Sequence, residues 1–237
     1  VKEWLYQLLS PELNVTRSPR SYNSQIGVPL SVWLLNEQSQ VGVFEAGISE
    51  PGEMLALRDI IQPEIAVLTF IGDAHQKNFS SLDEKCREKI LLFHDAKTIV
   101  YCKDDTLVDN VVKSFDYRGE NLAWSMKDPK AALFVKNVEK KDFTSTIHYI
   151  YNGDESEYDL PFIDDASVRN SVTTAVVALH LGLSRELLAE RMKNLEPVAM
   201  RLEVKEGQHG CTLINDSYNS DINSLDIALD FMNRRPD

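Results

Sequence analysis

The segment "IAVLTFIGDAHQKNFSSLDEKCREKILLF", residues 65–93, decides the fold class. It opens with a continuous run of apolar residues, which is typical of a strand buried on both faces of a sheet. A helical pattern follows, and the pair Ser81 and Glu84 at its start has the residue types and spacing of a helix N-terminal cap. A buried strand followed by an amphipathic helix is half of a β-α-β unit, so the segment predicts a parallel sheet.

The same alternation extends on both sides of this segment. Residues 41–47 ("VGVFEAG") and 98–102 ("TIVYC") are further continuous apolar runs, and residues 51–61 and 105–115 carry helical patterns between and after them. We therefore predict an α/β fold, with a mostly parallel sheet joined by right-handed crossovers and flanked by helices.

The pattern of apolar and polar residues changes beyond this α/β part. Residues 121–162 show short alternating runs with the turn signal "NGD" at 152–154, which predicts a small antiparallel annex. A long helix is predicted over residues 164–182, closed by its terminal glycine, and a further helix over residues 184–195 is predicted to be capped by Ser184. The helical pattern at 105–115 likewise begins at an acidic cap, Asp105. A strand at 211–216 and an amphipathic helix at 224–234 complete the chain.

Composition excludes several classes of protein. The 237 residues are 43% hydrophobic, enough for a substantial core, but no apolar run is long enough to span a membrane. The formal net charge of −12 argues against a nucleic-acid surface. Cys86, Cys102 and Cys211 are odd in number and far apart, which favours a reducing, cytoplasmic setting, with each cysteine expected to be a buried small residue.

The sequence lacks the glycine-rich phosphate-binding patterns G-x-x-x-x-G-K-[ST] and G-x-G-x-x-G. An apolar helical stripe at residues 1–9 stands first, with no strand before it. Two explanations are open: the protein binds no nucleotide, or its phosphate loop lies upstream of these residues.

Four segments, in order, carry a family resemblance. They are "RSPRSYNSQIGVPLSVWLL" (17–35), "FEAGISEPGEM" (44–54), "IGDAHQKNFSS" (71–81) and "INDSYNSDINSLDIALDF" (214–231). Together they resemble the Mur ligases of peptidoglycan synthesis, and most of all the branch that adds D-alanyl-D-alanine to UDP-N-acetylmuramoyl-tripeptide. "SPRSYNSQIGVP" further resembles the form found in bifunctional proteins fused to an alanine racemase.

The resemblance implies a domain organisation and an activity. Residues 1–199 would be the central ATPase domain without its phosphate loop, and residues 200–237 would begin the C-terminal ligase domain. The activity implied is ATP-dependent amide bond formation with Mg²⁺, through an acyl phosphate. The partners implied are UDP-N-acetylmuramoyl-tripeptide and D-alanyl-D-alanine, and this piece alone is expected to be inactive.

Three residues are the candidates for catalysis and metal binding. Glu45 closes a predicted strand, where the carboxyl ends of parallel strands face the ligand crevice, and His75 follows the next strand. By resemblance they match the family's metal-site glutamate and histidine. Lys89, fourteen residues after His75, matches the family's CO₂-carbamylated lysine and would become an oxygen donor to the metal. Lys85, one helical turn earlier, is a rival for this role.

The resemblance also assigns nucleotide contacts. Asn170 would read the adenine with its side-chain amide, and Arg201 would reach the ATP phosphates from the domain hinge. Asp216 would bind the ribose, accompanied by Tyr218 and Asn219.

Ser18 and Asn23 match the segment that lines the family's catalytic cleft, and are the candidates for substrate binding. The chain departs from the family pattern around the cleft-lining and adenine-binding segments. The departures include Ser21, Ser24, Phe70, Arg169 and Thr173.

Other functions stay open from the sequence. Within the same enzyme class the alternatives are another amino-acid-adding Mur ligase or a folylpolyglutamate synthase. Outside it, the chain could be a non-catalytic α/β interaction module that has lost its phosphate loop. A Gly-x-Gly-Lys-Thr segment directly upstream in the natural gene would separate the enzyme from the module.

Overall fold

The computed structural model describes residues 1–72, 78–115, 117–198, 203–217, 225, 226, 228, 229 and 232. The helices are α1 (Lys2–Leu9), α2 (Gly27–Val32), α3 (Glu53–Ile61), α4 (Leu82–Ile90), α5 (Thr106–Ser114), α6 (Asp165–His180) and α7 (Arg185–Met192). The strands of the α/β part are β1 (Val15–Arg17), β2 (Val41–Val43), β3 (Ile65–Val67), β4 (Thr98–Val100) and β5 (Glu120–Asn121). Those of the annex are β6 (Trp124–Ser125), β7 (Leu133–Lys141), β8 (Thr144–Tyr151) and β9 (Asp154–Leu160), followed by β10 (Glu203–Glu206) and β11 (Thr212–Asn215).

The α/β part contains parallel strands, as the sequence predicts, but the described strands form two separate sheets. β1 pairs with β2, and β4 lies between β3 and β5, all in parallel. The central strand β4 is buried at all three positions, whereas β2 and β3 are mostly half-buried. Parallel strands are normally buried on both faces. β2 and β3, which are edge strands of the two sheets, are therefore incompletely covered.

Helices α1 and α6 pack on one side of both sheets. Leu8 and Val172 are fully buried in one apolar cluster with the annex, and side chains from β1, β2 and β3 pack against that same cluster. A second cluster covers the opposite side, where Ile90 and Phe93 of α4 and the turn after it meet β4 and α5. The two sheets therefore share a layer between two sets of helices, the arrangement predicted for the fold.

The annex is a four-stranded sheet in the order β6-β7-β8-β9, antiparallel except for the β6–β7 pair. Its β8–β9 hairpin turns through Asn152 and Gly153, which have φ angles of 52° and 84°. Two consecutive residues with positive φ form the hairpin turn whose twist suits the flanking strands, and Asn-Gly is the preferred pair for it. The predicted antiparallel annex and its turn are confirmed.

The predicted helix caps at Ser81, Asp105 and Ser184 each accept a backbone N–H from the first turn of their helix. The three long apolar runs form strands over their first three residues. Hydrogen bonding continues just beyond β3 and β4, where the Leu68 N–H donates to the Val100 carbonyl and Cys102 forms a parallel bridge with Trp124. β10 and β11 form an antiparallel hairpin. The described residues of the segment 225–232 are helical, and none of the described helices is long and apolar enough to cross a membrane.

The cysteines differ in exposure, so the expectation that all three are buried is wrong for Cys211. Cys86 and Cys102 are buried and Cys211 is exposed, and all three are free thiols. Burial, with a smaller contribution from Asp105 and Asp83, raises the pKa of the Cys86 thiol to about 12, and burial also raises the pKa of Cys102. Because the thiolate is the reactive form, both buried thiols are held in their inert state at neutral pH.

A thiol-labelling experiment checks this arrangement. In the native protein at neutral pH, a thiol reagent is expected to modify Cys211 first, with Cys86 and Cys102 at least about a hundredfold slower because they need local opening. Mass spectrometry of peptides locates each label, and denaturant should equalise the three rates. Fast labelling of Cys86 without denaturant would contradict the packing of α4.

Candidate functional site

A large cleft of about 2490 Å³ opens between the two parallel sheets. Its walls include β2, β3 and the segments that leave their carboxyl ends, together with the cleft-facing sides of α1, α4 and α6. Ligand sites in open α/β sheets lie beyond the carboxyl ends of the strands. The cleft therefore occupies the place where such a fold binds its ligands.

Glu45 lies two residues after β2 and lines this cleft. The side-chain amide of Asn23 donates a hydrogen bond of 2.9 Å to the Glu45 carboxylate, and the Glu45 backbone N–H donates to the Ser18 hydroxyl at 3.2 Å. Gly47 is tied to the same group, because its N–H donates to the Asn23 backbone carbonyl at 2.7 Å. The carboxylate is thus held in one orientation, with oxygen available toward the cleft.

Gly47 also has a packing reason to be glycine. A Cβ at this position would lie 3.1 Å from the Asn23 side-chain nitrogen and 3.2 Å from its carboxamide carbon. Any larger residue would therefore press on the amide that orients Glu45.

Ser18 and Asn23, the predicted substrate-binding residues, have different positions. Asn23 lines the cleft, whereas Ser18 is fully buried beneath it. The Ser18 carbonyl accepts a hydrogen bond of 2.8 Å from Lys2 of α1, and the same ammonium group also binds the Arg20 carbonyl. Ser18 is therefore placed to hold the Glu45 backbone, and its contact with a substrate stays a prediction.

Lys89 lies in the last turn of α4 and lines the cleft. Burial holds the pKa of its ammonium group below the usual range, and the neighbouring charge of Lys85 acts in the same direction. The thiol of Cys86 and the carboxylate of Glu45 oppose this lowering. Glu45 and Lys89 therefore line the same cleft, near enough for the charge of the carboxylate to act on the ammonium group.

Lys85, the rival residue, is more deeply buried, with 3% of its surface exposed. Its ammonium group donates a hydrogen bond to the Gly72 carbonyl, in the segment that leaves β3. Both lysines line the cleft, since residues four apart share a helix face. Lys85 is engaged with the backbone at Gly72, and the choice of Lys89 over Lys85 for the catalytic role stays a prediction.

Two of the predicted nucleotide contacts fall within the described residues, Asn170 and Asp216, and both line the cleft. α6 begins at Asp165, close to the predicted start at 164, and Asp164 caps it by accepting the Ser167 N–H at 2.7 Å. Asn170 therefore lies in the second turn. His75, Arg201, Tyr218 and Asn219 lie outside the described residues.

Arg169 also lines the cleft, beside Asn170. Its guanidinium carbon lies 5.9 Å from the ring centroid of Trp124. The sequence identified this arginine only as a departure from the family pattern. A guanidinium group on the cleft wall supplies positive charge for an anionic ligand. The sequence alone did not show that Arg169 lies on the cleft-facing side of α6.

The side chains that line the cleft suit Mg²⁺ better than they suit a metal ion that is bound by protein side chains alone. Among the described residues, no group of three or more His, Cys, Asp or Glu side chains is close enough to hold a metal ion. Mg²⁺ is usually bound by one or two carboxylates together with waters and substrate phosphates. A single oriented carboxylate at Glu45, next to a cleft with room for a nucleotide, satisfies that requirement.

Comparison with known protein families defines the class of protein to which this chain belongs. The Mur ligase middle-domain model matches residues 1–178. A UDP-N-acetylmuramoyl-tripeptide--D-alanyl-D-alanine ligase of Bacillus subtilis (strain 168) is 25% identical over 235 residues, which cover 96% of this chain and 49% of that protein. The chain belongs to the Mur ligase family, as the ordered motifs predict.

Solved structures show the same fold. Crystal structure I of MurF from Acinetobacter baumannii superposes with a TM-score of 0.84 at 22% identity, covering 99% of this chain and 51% of that chain. The MurF ligase from Thermotoga maritima in complex with ADP gives a TM-score of 0.83 at 22% identity, covering 99% and 54%. This chain thus spans about half the length of the relatives that it matches.

Proposed function

We propose that this chain is the central part of an ATP-dependent ligase that adds D-alanyl-D-alanine to UDP-N-acetylmuramoyl-tripeptide. The observation that carries the proposal is that Glu45, hydrogen-bonded to Asn23, and the half-buried Lys89 line one cleft at the carboxyl ends of the parallel strands. The similarity to proteins named for this activity, over nearly the whole chain, supports the choice of substrates.

The proposed reaction has two steps. A carboxylate oxygen of the tripeptide attacks the γ-phosphorus of ATP. The bond between the γ-phosphorus and the oxygen that bridges to the β-phosphate breaks, so that ADP departs and the carboxyl group becomes an acyl phosphate. The amine of D-alanyl-D-alanine then attacks the acyl carbon, loses a proton and displaces inorganic phosphate, so that an amide bond forms. In phosphoryl transfer the protein acts chiefly by positioning the groups and stabilising their charge.

In this scheme Glu45 would be a ligand of Mg²⁺, together with His75 by family resemblance. When bound, the ion would neutralise charge on the phosphate oxygens. Asn23 keeps the carboxylate directed into the cleft, and Ser18 fixes the backbone behind it. The cation is thus expected next to β2.

Lys89 would act as a carbamate. Its neutral amine nitrogen bonds to the carbon of CO₂ and loses a proton, which converts a cation into an oxygen donor. Burial on α4 favours the neutral amine that this step needs. The product would place a second carboxylate-like group opposite Glu45, available to the metal or to the phosphate.

We propose that the nucleotide lies along the α6 side of the cleft. Asn170 would bind the adenine and Asp216 the ribose, and both side chains line the cleft. Arg201, Tyr218 and Asn219 are assigned to the nucleotide by resemblance alone. Arg169, on the same wall, adds positive charge near the nucleotide.

The domain organisation is part of the proposal: residues 1–199 as a central domain and 200–237 as the start of the next. β2 and β3 are edge strands of two separate parallel sheets and both line the cleft, so we propose that one further parallel strand lies between them. We place there the strand of a phosphate loop that leads into α1, supplied by residues outside these 237. This would also explain why the cleft exceeds the roughly 300–1,000 Å³ of a typical ligand site.

Calorimetry tests the proposed phosphate loop. The 237-residue chain is expected to bind ATP weakly, at least about a hundredfold more weakly than a longer natural form that includes a Gly-Lys-Thr loop before α1, because backbone amides of such loops hold the phosphates. Titration of both forms with ATP and Mg²⁺ measures the difference. Equal and tight binding would show that other residues hold the phosphates.

The proposed activity is tested on the longer form with the three substrates. ADP release that requires both UDP-N-acetylmuramoyl-tripeptide and D-alanyl-D-alanine is expected, with the ligated product identified by mass spectrometry. ADP release with a different amino acid or with a folate would favour the other ligases considered. ATP binding without turnover on any acid and amine would favour the non-catalytic module.

A further inference from the structure

We propose that Glu88 is a positioning residue for the proposed ligase site, holding the loop that carries Glu45 against the helix that carries Lys89. The inference rests on the proposed function and adds a residue to it. Glu88 lies on α4 next to Lys89. Its side chain points away from the cleft, toward the start of α3, and it does not line the cleft.

Glu88, which lies on α4, caps the N-terminus of a different helix, α3. One carboxylate oxygen accepts the backbone N–H of Gly52 at 2.8 Å and that of Met54 at 3.2 Å. The first N–H groups of a helix have no partner within it, and the N-cap side chain usually provides one. Gly52 is the N-cap of α3 and has no side chain to do so. Glu88 fills that role from α4.

This cap fixes one end of the loop between β2 and α3. The loop begins near Glu45, where Asn23 holds the carboxylate, and it ends at Gly52, where Glu88 holds the backbone. Its middle is tied down as well, because the side-chain amide of Asn78 donates to the Ser49 carbonyl at 2.9 Å. The distance between the Glu45 loop and α4 is therefore set by Glu88 at a point one residue from Lys89.

An apolar contact accompanies the cap. Met54 and Leu57 of α3 are buried with Phe79, and Leu91 and Leu92 after α4 pack against them. This packing joins α3 to the turn that follows α4, whereas the Glu88 carboxylate reaches α3 from α4 itself. The hydrogen bonds from Glu88 are directional, so they determine the register of α4 on α3, and hence the position of Lys89 relative to Glu45.

Glu84 provides a matched control on the same helix. Its carboxylate accepts from the backbone N–H and the hydroxyl of Ser80, at the start of its own helix. It thus makes a contact of the same kind without bridging to the Glu45 loop. Removing it should affect α4 locally and leave the distance to α3 unchanged.

The test compares Glu88→Ala, Glu88→Gln and Glu84→Ala in the longer, ATP-binding form of the protein. Glu88→Ala is expected to lower kcat about tenfold, since a small misplacement of reacting groups is costly, with the KM for ATP within about twofold. Glu88→Gln keeps an acceptor oxygen and should restore most of the activity. In amide hydrogen exchange, Gly52 and Met54 should lose protection in Glu88→Ala and keep it in Glu84→Ala.

Three outcomes would overturn the inference. They are a kcat for Glu88→Ala equal to that of Glu84→Ala, a loss that Glu88→Gln fails to restore, and unchanged protection at Gly52 and Met54. Any of these leaves the proposed function standing if Lys89→Ala still abolishes ligation, whereas a parent protein without ligation removes both. If Glu88→Ala does not fold, Glu88→Asp keeps the charge, shortens the reach and should show the same loss.

Discussion

Replacing Lys89 by alanine is expected to abolish ligation in the longer form of the protein, with a loss in kcat of at least about a thousandfold. The physical reason is that the variant lacks the amine that would bond to CO₂, and with it the oxygen donor opposite Glu45. The backbone of α4 should survive, because Lys89 is only half-buried and the helix retains its Ser81 cap. Initial rates of ADP release and product formation measure the effect.

Three controls accompany this variant. Lys113→Ala removes an exposed lysine from the end of another helix, where it pairs with Asp109, and should leave the activity within about twofold. Slow labelling of Cys86 in Lys89→Ala would show that α4 is still packed. Short carboxylic acids added at high concentration should restore part of the activity if a carbamate is missing. Full activity in Lys89→Ala would remove this residue from the mechanism.

Glu45→Gln is expected to lower kcat/KM by about a hundredfold or more, and to raise the Mg²⁺ concentration needed for half-maximal activity. The amide keeps the shape of the side chain and an acceptor oxygen for Asn23, so the local fold should be retained. What it loses is the negative charge that a divalent cation requires. Initial rates over a Mg²⁺ titration separate the two effects.

Glu50→Gln is the matched control for this loss of charge. Glu50 is exposed and lies in the same loop between β2 and α3, so its substitution changes the net charge equally. It should leave the rate and the Mg²⁺ dependence nearly unchanged. If Glu45→Gln and Glu50→Gln behave alike, Glu45 is not the metal ligand, and the pairing with Lys89 would lose its proposed purpose.

The features that the sequence predicts well are local. The helix caps at Ser81, Asp105 and Ser184 form as expected, because each needs only a hydroxyl or carboxylate within three residues of an open N–H. The Asn152-Gly153 turn forms for a similar reason, since it depends on two residues that tolerate positive φ. The alternation of buried strands and helices fixes the α/β class in the same way.

The candidate site is predicted only in part. The position of Glu45 after a parallel strand places it at the ligand edge, and the structure has it lining the cleft. The spacing from His75 favours Lys89 by resemblance, but Lys85 stays a rival because residues four apart share one helix face. In the structure Lys85 donates to the Gly72 carbonyl and the Glu45 charge acts on Lys89, and the role of Lys89 stays a prediction.

The sequence by itself determined the alternation of strands and helices in the α/β part, the antiparallel annex, the helix caps and the hairpin turn, because these follow from interactions within a few residues; it did not predict β1, α2 or β10. The tertiary structure alone decided the division of the parallel strands into two sheets with a cleft between them, the burial of Ser18 behind Glu45, and the capping of α3 by Glu88. Each of these joins residues far apart in the chain, and such pairings are set by how the helices and sheets pack, which no local pattern records.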